Sequence, residues 1–277
     1  FSSFIPLILI IIIGGVIGNK ILQENNIEGN NSINNIENLE ESNILENNVT
    51  ENIINQIENN NTNSNENENT TETNEIKKES SNNSYNNSEV KFDNTVAFIG
   101  DSRTQGFIMY NGLKKVQDYS YIGLMVDTAV TKKFVKTNDG NKITLLQDMA
   151  NKNIKKVYIM LGVNELGWSY PQVFKVKYKE LISKIRKIKP NCKIYVQSII
   201  PMTKSKSDSD KIFNNSNVAK FNELVQEVAE EENVIYLNVK SALVNKEGYL
   251  PEEASTDGVH IDKEYCKKWL KYLKNNS

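Results

Sequence analysis

From about Thr95 onward the sequence predicts an α/β fold, with a mainly parallel sheet covered by helices on both faces. Two observations carry this. Short apolar runs rich in Val, Ile and Tyr, each ending near a turn signal, recur along the segment, as buried strands do. Between them lie stretches whose apolar residues repeat at helical spacing. Strands that alternate with helices are joined by crossovers, and crossovers make the strands parallel.

The elements follow in order. Thr95–Ile99 (TVAFI) is a strand that stops at Gly100. A short second strand precedes Gly123. Residues 136–143 (KTNDGNKI) contain an Asp-Gly turn and predict a small hairpin between main elements. Lys156–Leu161 (KVYIML), Lys193–Ile200 (KIYVQSII) and Val234–Leu237 (VIYL) are further strands. Phe174, Tyr178, Leu181, Ile182, Ile185 and Ile188 share one helical face, and that helix must stop before Pro190. Val218, Phe221, Leu224, Val225 and Val228 form a second such face. A last helix carries Tyr265, Trp269 and Leu270 behind Asp262 as N-cap.

Composition divides the chain into three parts. Residues 1–22 include an uncharged, almost wholly apolar run from Phe4 to Gly18 and read as a membrane anchor or a signal segment. An uncleaved anchor is favoured, because neither a small-x-small cleavage site nor a lipidation cysteine follows the run. The chain opens on Phe1 rather than methionine, so further residues are expected before it. Residues 23–93 are Asn- and Glu-rich, with no aromatic residue before Tyr85. Such a stretch buries too little apolar surface to offset chain entropy and is expected to be a disordered tether. Residues 94–277 have the size of one domain. The expected arrangement is a single-pass membrane protein with the domain outside the cell, or a secreted domain if the first segment is cleaved.

Charge and metal-ligating residues exclude some classes. The net charge of −2 leaves no basic footprint for nucleic acid. Two cysteines, Cys192 and Cys266, read as buried or half-buried thiols rather than a disulfide framework. His260 is the only histidine, so sites needing two imidazoles are excluded, and a histidine base has one candidate.

Three turns carry residues fit for chemistry. Gly100-Asp101-Ser102 puts a hydroxyl at a strand-to-helix junction, where backbone N–H groups converge. Taken alone, Ser102 reads as a helix N-cap; as a nucleophile it needs a base. Gly162-Val163-Asn164-Glu165 offers an amide that can donate to an oxyanion or cap a turn. Asp257-Gly258-Val259-His260 puts a carboxylate three residues from the imidazole, where it can orient that ring.

Together these blocks resemble the SGNH/GDSL hydrolase superfamily, in order and over the whole segment from about Val96 to Leu273. The resemblance implies a flavodoxin-like three-layer α/β/α sandwich. It implies a triad of Ser102, Asp257 and His260. The oxyanion hole would be formed by the N–H of Ser102, the N–H of Gly123 in Ser120-Tyr121-Ile122-Gly123-Leu124, and the Asn164 side chain. Arg103 stands where the name-giving motif has Leu, and Glu165 replaces the commoner Asp. The implied activity is ester hydrolysis through an acyl-enzyme, with no metal or organic cofactor.

The expected substrate is a small acyl ester, O-acetyl above all, on a carbohydrate or cell-wall polymer, since exported relatives often act there. Trp168 and Tyr170 offer a sugar platform or ordinary packing. The alternatives are an acyltransferase, a lysophospholipase and a non-catalytic surface-binding module.

Overall fold

The computed structural model describes residues 90–277. The membrane segment expected over residues 1–22, and all but the end of the linker expected over 23–93, lie outside the described residues. Among the described residues no helix is long and apolar enough to cross a membrane.

Among the described residues the strands are β1 (Val96–Gly100), β2 (Gln117–Ser120), β3 (Lys133–Lys136), β4 (Lys142–Thr144), β5 (Lys156–Met160), β6 (Lys193–Gln197) and β7 (Ile235–Leu237). The helices are α1 (Ser102–Tyr110), α2 (Leu145–Ala150), α3 (Pro171–Ile188), α4 (Lys204–Ser209), α5 (Asn215–Glu231) and α6 (Lys263–Asn276). Five strands form one sheet in the order β2-β1-β5-β6-β7, and every neighbouring pair is parallel. β3 and β4 form the expected hairpin, antiparallel and separate from the main sheet.

Alternation along the strands sends side chains to two cores. Ala97 and Ile99 of β1, Val157 and Ile159 of β5, and Ile194 and Val196 of β6 pack with α2, α3 and α5. Val96, Phe98, Tyr158, Met160 and Tyr195 point the other way and pack with α1 and α6. The sheet is therefore the middle layer of three, as the sequence predicts. Register aligns Phe98, Tyr158 and Tyr195 on adjacent strands. Their rings stack across the sheet at 5.0 and 4.6 Å between centroids. Phe107 of α1 and Trp269 of α6 meet at 4.3 Å and join the two helices of that layer. Packing reaches back to Phe92, whose ring lies 5.7 Å from Phe98.

The helical faces read from the sequence are the buried ones. Phe174, Tyr178, Leu181, Ile182 and Ile185 of α3 are fully buried, and α3 ends at Ile188, two residues before Pro190. Asp262 caps α6 by accepting from the Tyr265 N–H. The run expected as one strand to Ile200 leaves the sheet after Gln197. There Ile199 N–H donates instead to Asn222 Oδ1 of α5, at 2.7 Å. Both cysteines are free thiols, Cys266 buried and Cys192 half-buried.

This topology positions a site. Counting only sheet strands, the order is that of flavodoxin-like folds. The chain leaves β1 to α1 on one face and leaves β5 to α3 on the other. The carboxyl ends of β1 and β5 therefore flank a crevice, where such sheets bind ligands.

Candidate active site

β1 ends at Gly100, and the chain turns at once into α1. Asp101 is the N-cap: its carboxylate accepts the Arg103 N–H at 2.8 Å. The capping role open to Ser102 is thus taken by its neighbour, which leaves the Ser102 hydroxyl available. As the first residue of α1, Ser102 also presents an N–H with no partner inside the helix. Its Oγ lies 2.9 Å from Nε2 of His260.

His260 and Asp257 come from the loop between the 3-10 turn Glu252–Ala254 and α6, near the C-terminus. Nδ1 of His260 is 2.6 Å from Asp257 Oδ2. A carboxylate can only accept, so the proton belongs on Nδ1 and Nε2 is left to accept from Ser102. The carboxylate is itself held by its loop. Oδ1 accepts from the N–H groups of Val259 and His260 at 2.9 and 2.8 Å and from Ser255 Oγ at 3.1 Å. Burial pushes this carboxyl up, but the hydrogen bonds from the His260 ring and from the two N–H groups outweigh it. They hold Asp257 well below the ordinary carboxylate range. About half of each side chain is solvent-accessible, 54% for His260 and 50% for Asp257, so the pair faces a site open to ligands.

The loops after β2 and β5 flank Ser102 on either side. β2 pairs with β1 so that Ser120 lies beside Gly100, and Tyr121 N–H donates to Gly100 O at 3.0 Å. The chain then turns through Gly123 at φ +72°, a left-handed conformation that favours glycine. Among the described residues the Gly123 N–H has no acceptor. On the other side, the loop after β5 turns through Gly162 at φ +127°, where any side chain would also run into Ile199. Asn164 Nδ2 donates to Leu124 O at 3.1 Å. That bond ties the two loops together, fixes which way the amide faces and leaves its second N–H to donate elsewhere. Asn164 therefore bonds across to the neighbouring loop rather than capping its own turn.

The structure thus brings Ser102, Asp257 and His260 into one hydrogen-bonded chain and puts the Gly123 and Asn164 loops beside it. Trp168 is half-buried and packs against the α3 core, whereas Tyr170 is exposed. Tyr121, two residues before Gly123, is exposed as well and leans on Phe134 of the hairpin at 5.2 Å.

Two residues that the sequence marks only as departures prove to be structural parts of the site. Arg103 is buried, at 3% exposure. Its Nε donates to Val259 O at 2.9 Å, its Nη1 to Ile200 O at 2.5 Å, and its Nη2 contacts Met202 Sδ at 3.1 Å. Burial lowers its pKa to about 10, against the pull of Asp101 and Asp257, so it stays a cation at neutral pH. Glu165 is fully buried, and its Oε1 accepts from Val126 N–H at 2.7 Å. The signal in the sequence was a charged residue directly beside each site residue, in turns that close buried strands.

No curated protein matches the chain significantly. Solved structures do. A structure described as a platelet activating factor from Streptococcus pneumonia is 20% identical, with a TM-score of 0.54, over 66% of this chain and 83% of that one. A lipolytic protein of the G-D-S-L family from Desulfitobacterium hafniense is 15% identical, with a TM-score of 0.49, over 66% and 98%. A carbohydrate acetylesterase from Sinorhizobium meliloti is 14% identical, with a TM-score of 0.47, over 65% and 96%. At such identities the first likeness speaks for the fold, in agreement with the sheet order. The family model of the GDSL-like lipases and acylhydrolases matches residues 98–264, more than half of the chain and nearly all of the described domain. The match spans the turn after β1, the turn after β5 and the Asp257–His260 loop, and on that ground the protein is an ester hydrolase belonging to the GDSL-like lipase/acylhydrolase family.

Proposed function

We propose that the protein is a serine esterase that removes small acyl groups, acetyl in the first place, from a carbohydrate or cell-wall polymer. The observation that carries this reading is the unbroken path from Ser102 Oγ through the His260 ring to Asp257, at 2.9 and 2.6 Å. Ser102 Oγ attacks the ester carbonyl while Nε2 of His260 takes its proton. Asp257 keeps the ring in the required tautomer and stabilises the imidazolium. The tetrahedral oxyanion is met by the N–H of Ser102, the N–H of Gly123 and the free amide N–H of Asn164. His260 then protonates the leaving alcohol, the acyl group stays on Ser102, and a water activated by the same imidazole releases it.

The substrate side rests on different residues. The pair is open to solvent, which suits an ester carried on a large polymer. Exposed Tyr121 and Tyr170 stand on the two loops that carry the oxyanion donors, and aromatic rings of that kind can pack on sugar faces. The membrane anchor read from residues 1–22 would keep the domain outside the cell, within reach of wall polymers. The test is release of acetate from an O-acetylated polysaccharide by the full chain, run beside nitrophenyl esters of increasing acyl length. Acetate release, with activity falling as the acyl chain lengthens, is expected. Preference for long acyl esters would reject the carbohydrate reading while leaving the esterase.

A further inference from the structure

Glu165 follows the proposed oxyanion residue, yet it is fully buried. Among the described residues, the one hydrogen bond its carboxyl makes to another residue is the one its Oε1 accepts from Val126 N–H at 2.7 Å. Oε2 is buried with no partner. Val126 lies three residues past Gly123, and the carbonyl of Leu124 between them accepts from Asn164. Two adjacent residues of the loop after β5 therefore grip the same short stretch of the loop after β2. Asn164 holds it at Leu124, and Glu165 holds it at Val126.

We propose that Glu165 is a positioning residue that works in its protonated form: its carboxyl fixes the Gly123–Val126 segment where the oxyanion hole needs it, and loss of the proton releases that segment. The proposal rests on the oxyanion roles assigned to Gly123 and Asn164.

The surroundings explain why the proton stays. The titratable groups facing Glu165 are Asp101 at the end of β1, Asp127 on the loop after β2 and the buried Tyr178 hydroxyl of α3. None of these is a cation. Asp127 Oδ1 and the Tyr178 hydroxyl are, like Glu165 Oε2, buried without a hydrogen-bond partner. Arg103, on the turn after β1, is spent on Val259, Ile200 and Met202. A neutral acid here leaves one O–H unpaired. An anion would leave a full charge unpaired beside two further carboxyls, which costs far more. Burial first, and then Asp101 and Asp127, push the Glu165 carboxyl up to about 8, although the Val126 N–H pulls the other way. Above that pH the anion holds the Val126 N–H more strongly, but it must also draw water into a fully buried site, and that displaces the segment packed over it.

The experiment compares kcat and KM from pH 6 to 9.5 for the full chain carrying the native residue, Glu165→Gln, Glu165→Leu or Asn164→Ala, with a nitrophenyl acetate substrate and melting curves for each. Gln keeps the acceptor for Val126 N–H and cannot ionise. Its kcat should lie within about threefold of the native value at pH 6.5 and stay level to pH 9.5. The native kcat should fall by about tenfold per pH unit above its midpoint. Leu is apolar and of comparable size but offers no acceptor, and its melting curve shows whether it folds. Its kcat should drop about ten- to a hundredfold at every pH, as misplaced catalytic groups do, with KM little changed. A Gln variant that keeps the native alkaline fall, or a folded Leu variant with native kcat, overturns the proposal even where Asn164→Ala is strongly impaired. A near-normal kcat for Asn164→Ala overturns the oxyanion reading and this proposal with it.

Discussion

The guanidinium of Arg103 donates to the backbone carbonyl of Val259, 2.9 Å away and 156 residues along the chain. Arg103 follows the serine and Val259 precedes the histidine, so this one bond clamps the two halves of the Ser102–His260 pair. The same side chain holds Ile200 O and Met202 Sδ, beyond the end of β6. The segment that meets the base loop is thus anchored too, since Thr203 N–H donates to Gly258 O at 3.1 Å.

Arg103→Leu would restore the residue of the name-giving motif and should nevertheless damage this protein. It removes a buried cation, leaves buried carbonyls without donors and leaves Asp101 buried without its counter-charge. Breaking such an arrangement costs about 3–5 kcal/mol. Denaturant unfolding should show a loss of that order, and turnover should fall because the His260 loop is no longer tied to Ser102. A variant as stable and active as the native protein would remove Arg103 from the account.

Glu165 makes a second, thermodynamic prediction. Its carboxyl titrates near 8 in the folded protein against 4.5 in an unfolded chain, so the folded state holds the proton more tightly. The stability that this group contributes is complete below about pH 4.5 and is lost as the pH rises towards 8. The slope is at most about 1.4 kcal/mol per pH unit, because one proton is involved. Melting curves between pH 5 and 9 should show the native protein losing stability relative to Glu165→Gln. Parallel curves would mean that Glu165 is ionised throughout.

Much of this was legible in the sequence, and the reasons are physical. Parallel strands buried on both faces read as short apolar runs, and α3 and α5 each show a clean apolar stripe. The chemistry-bearing turns were legible because glycine, Ser102 and Asn164 stand at the ends of those runs, and because the lone His260 sits three residues from Asp257 in a glycine loop before the last helix. What stayed hidden depends on contacts between segments distant in the chain. A charged residue in a turn looks solvated, and only the fold shows Arg103 and Glu165 to be buried. The departure of Ser198–Ile200 from β6 was hidden for the same reason. Asn222, which takes over the Ile199 N–H, comes from α5 and not from the run itself.

The start of the domain is a related case. The composition change falls near Thr95, but Phe92 packs on Phe98 and Tyr158, and Asp93 accepts from the Thr95 N–H and hydroxyl at 2.8 and 2.7 Å. A protein beginning at residue 90 should fold alone with a single cooperative melt. One beginning at residue 94 should lose about 1 kcal/mol or more, through the missing aromatic contacts and cap. Equal melting points would show that Phe92 adds nothing.

Asn164 separates a catalytic amide from a structural one. Its first N–H ties the two loops, and its second is proposed to meet charge that exists only in the transition state. Asn164→Ala should lower kcat by about 10²–10³-fold with KM little changed, whereas loss of the Leu124 bond alone would cost about 1 kcal/mol of stability. Asn164→Asp should be at least as damaging, since a carboxylate repels an oxyanion. Steady-state kinetics beside a thermal melt distinguishes the two roles.

The central claim is that Ser102, activated by the only histidine in the chain, forms the covalent intermediate. Reaction with a fluorophosphonate followed by peptide mass spectrometry tests it most directly. The account predicts one adduct, on Ser102, absent from Ser102→Ala and strongly slowed in His260→Ala, with esterase activity lost in step. An adduct on another residue, or a Ser102→Ala protein that still hydrolyses acetate esters, would contradict it.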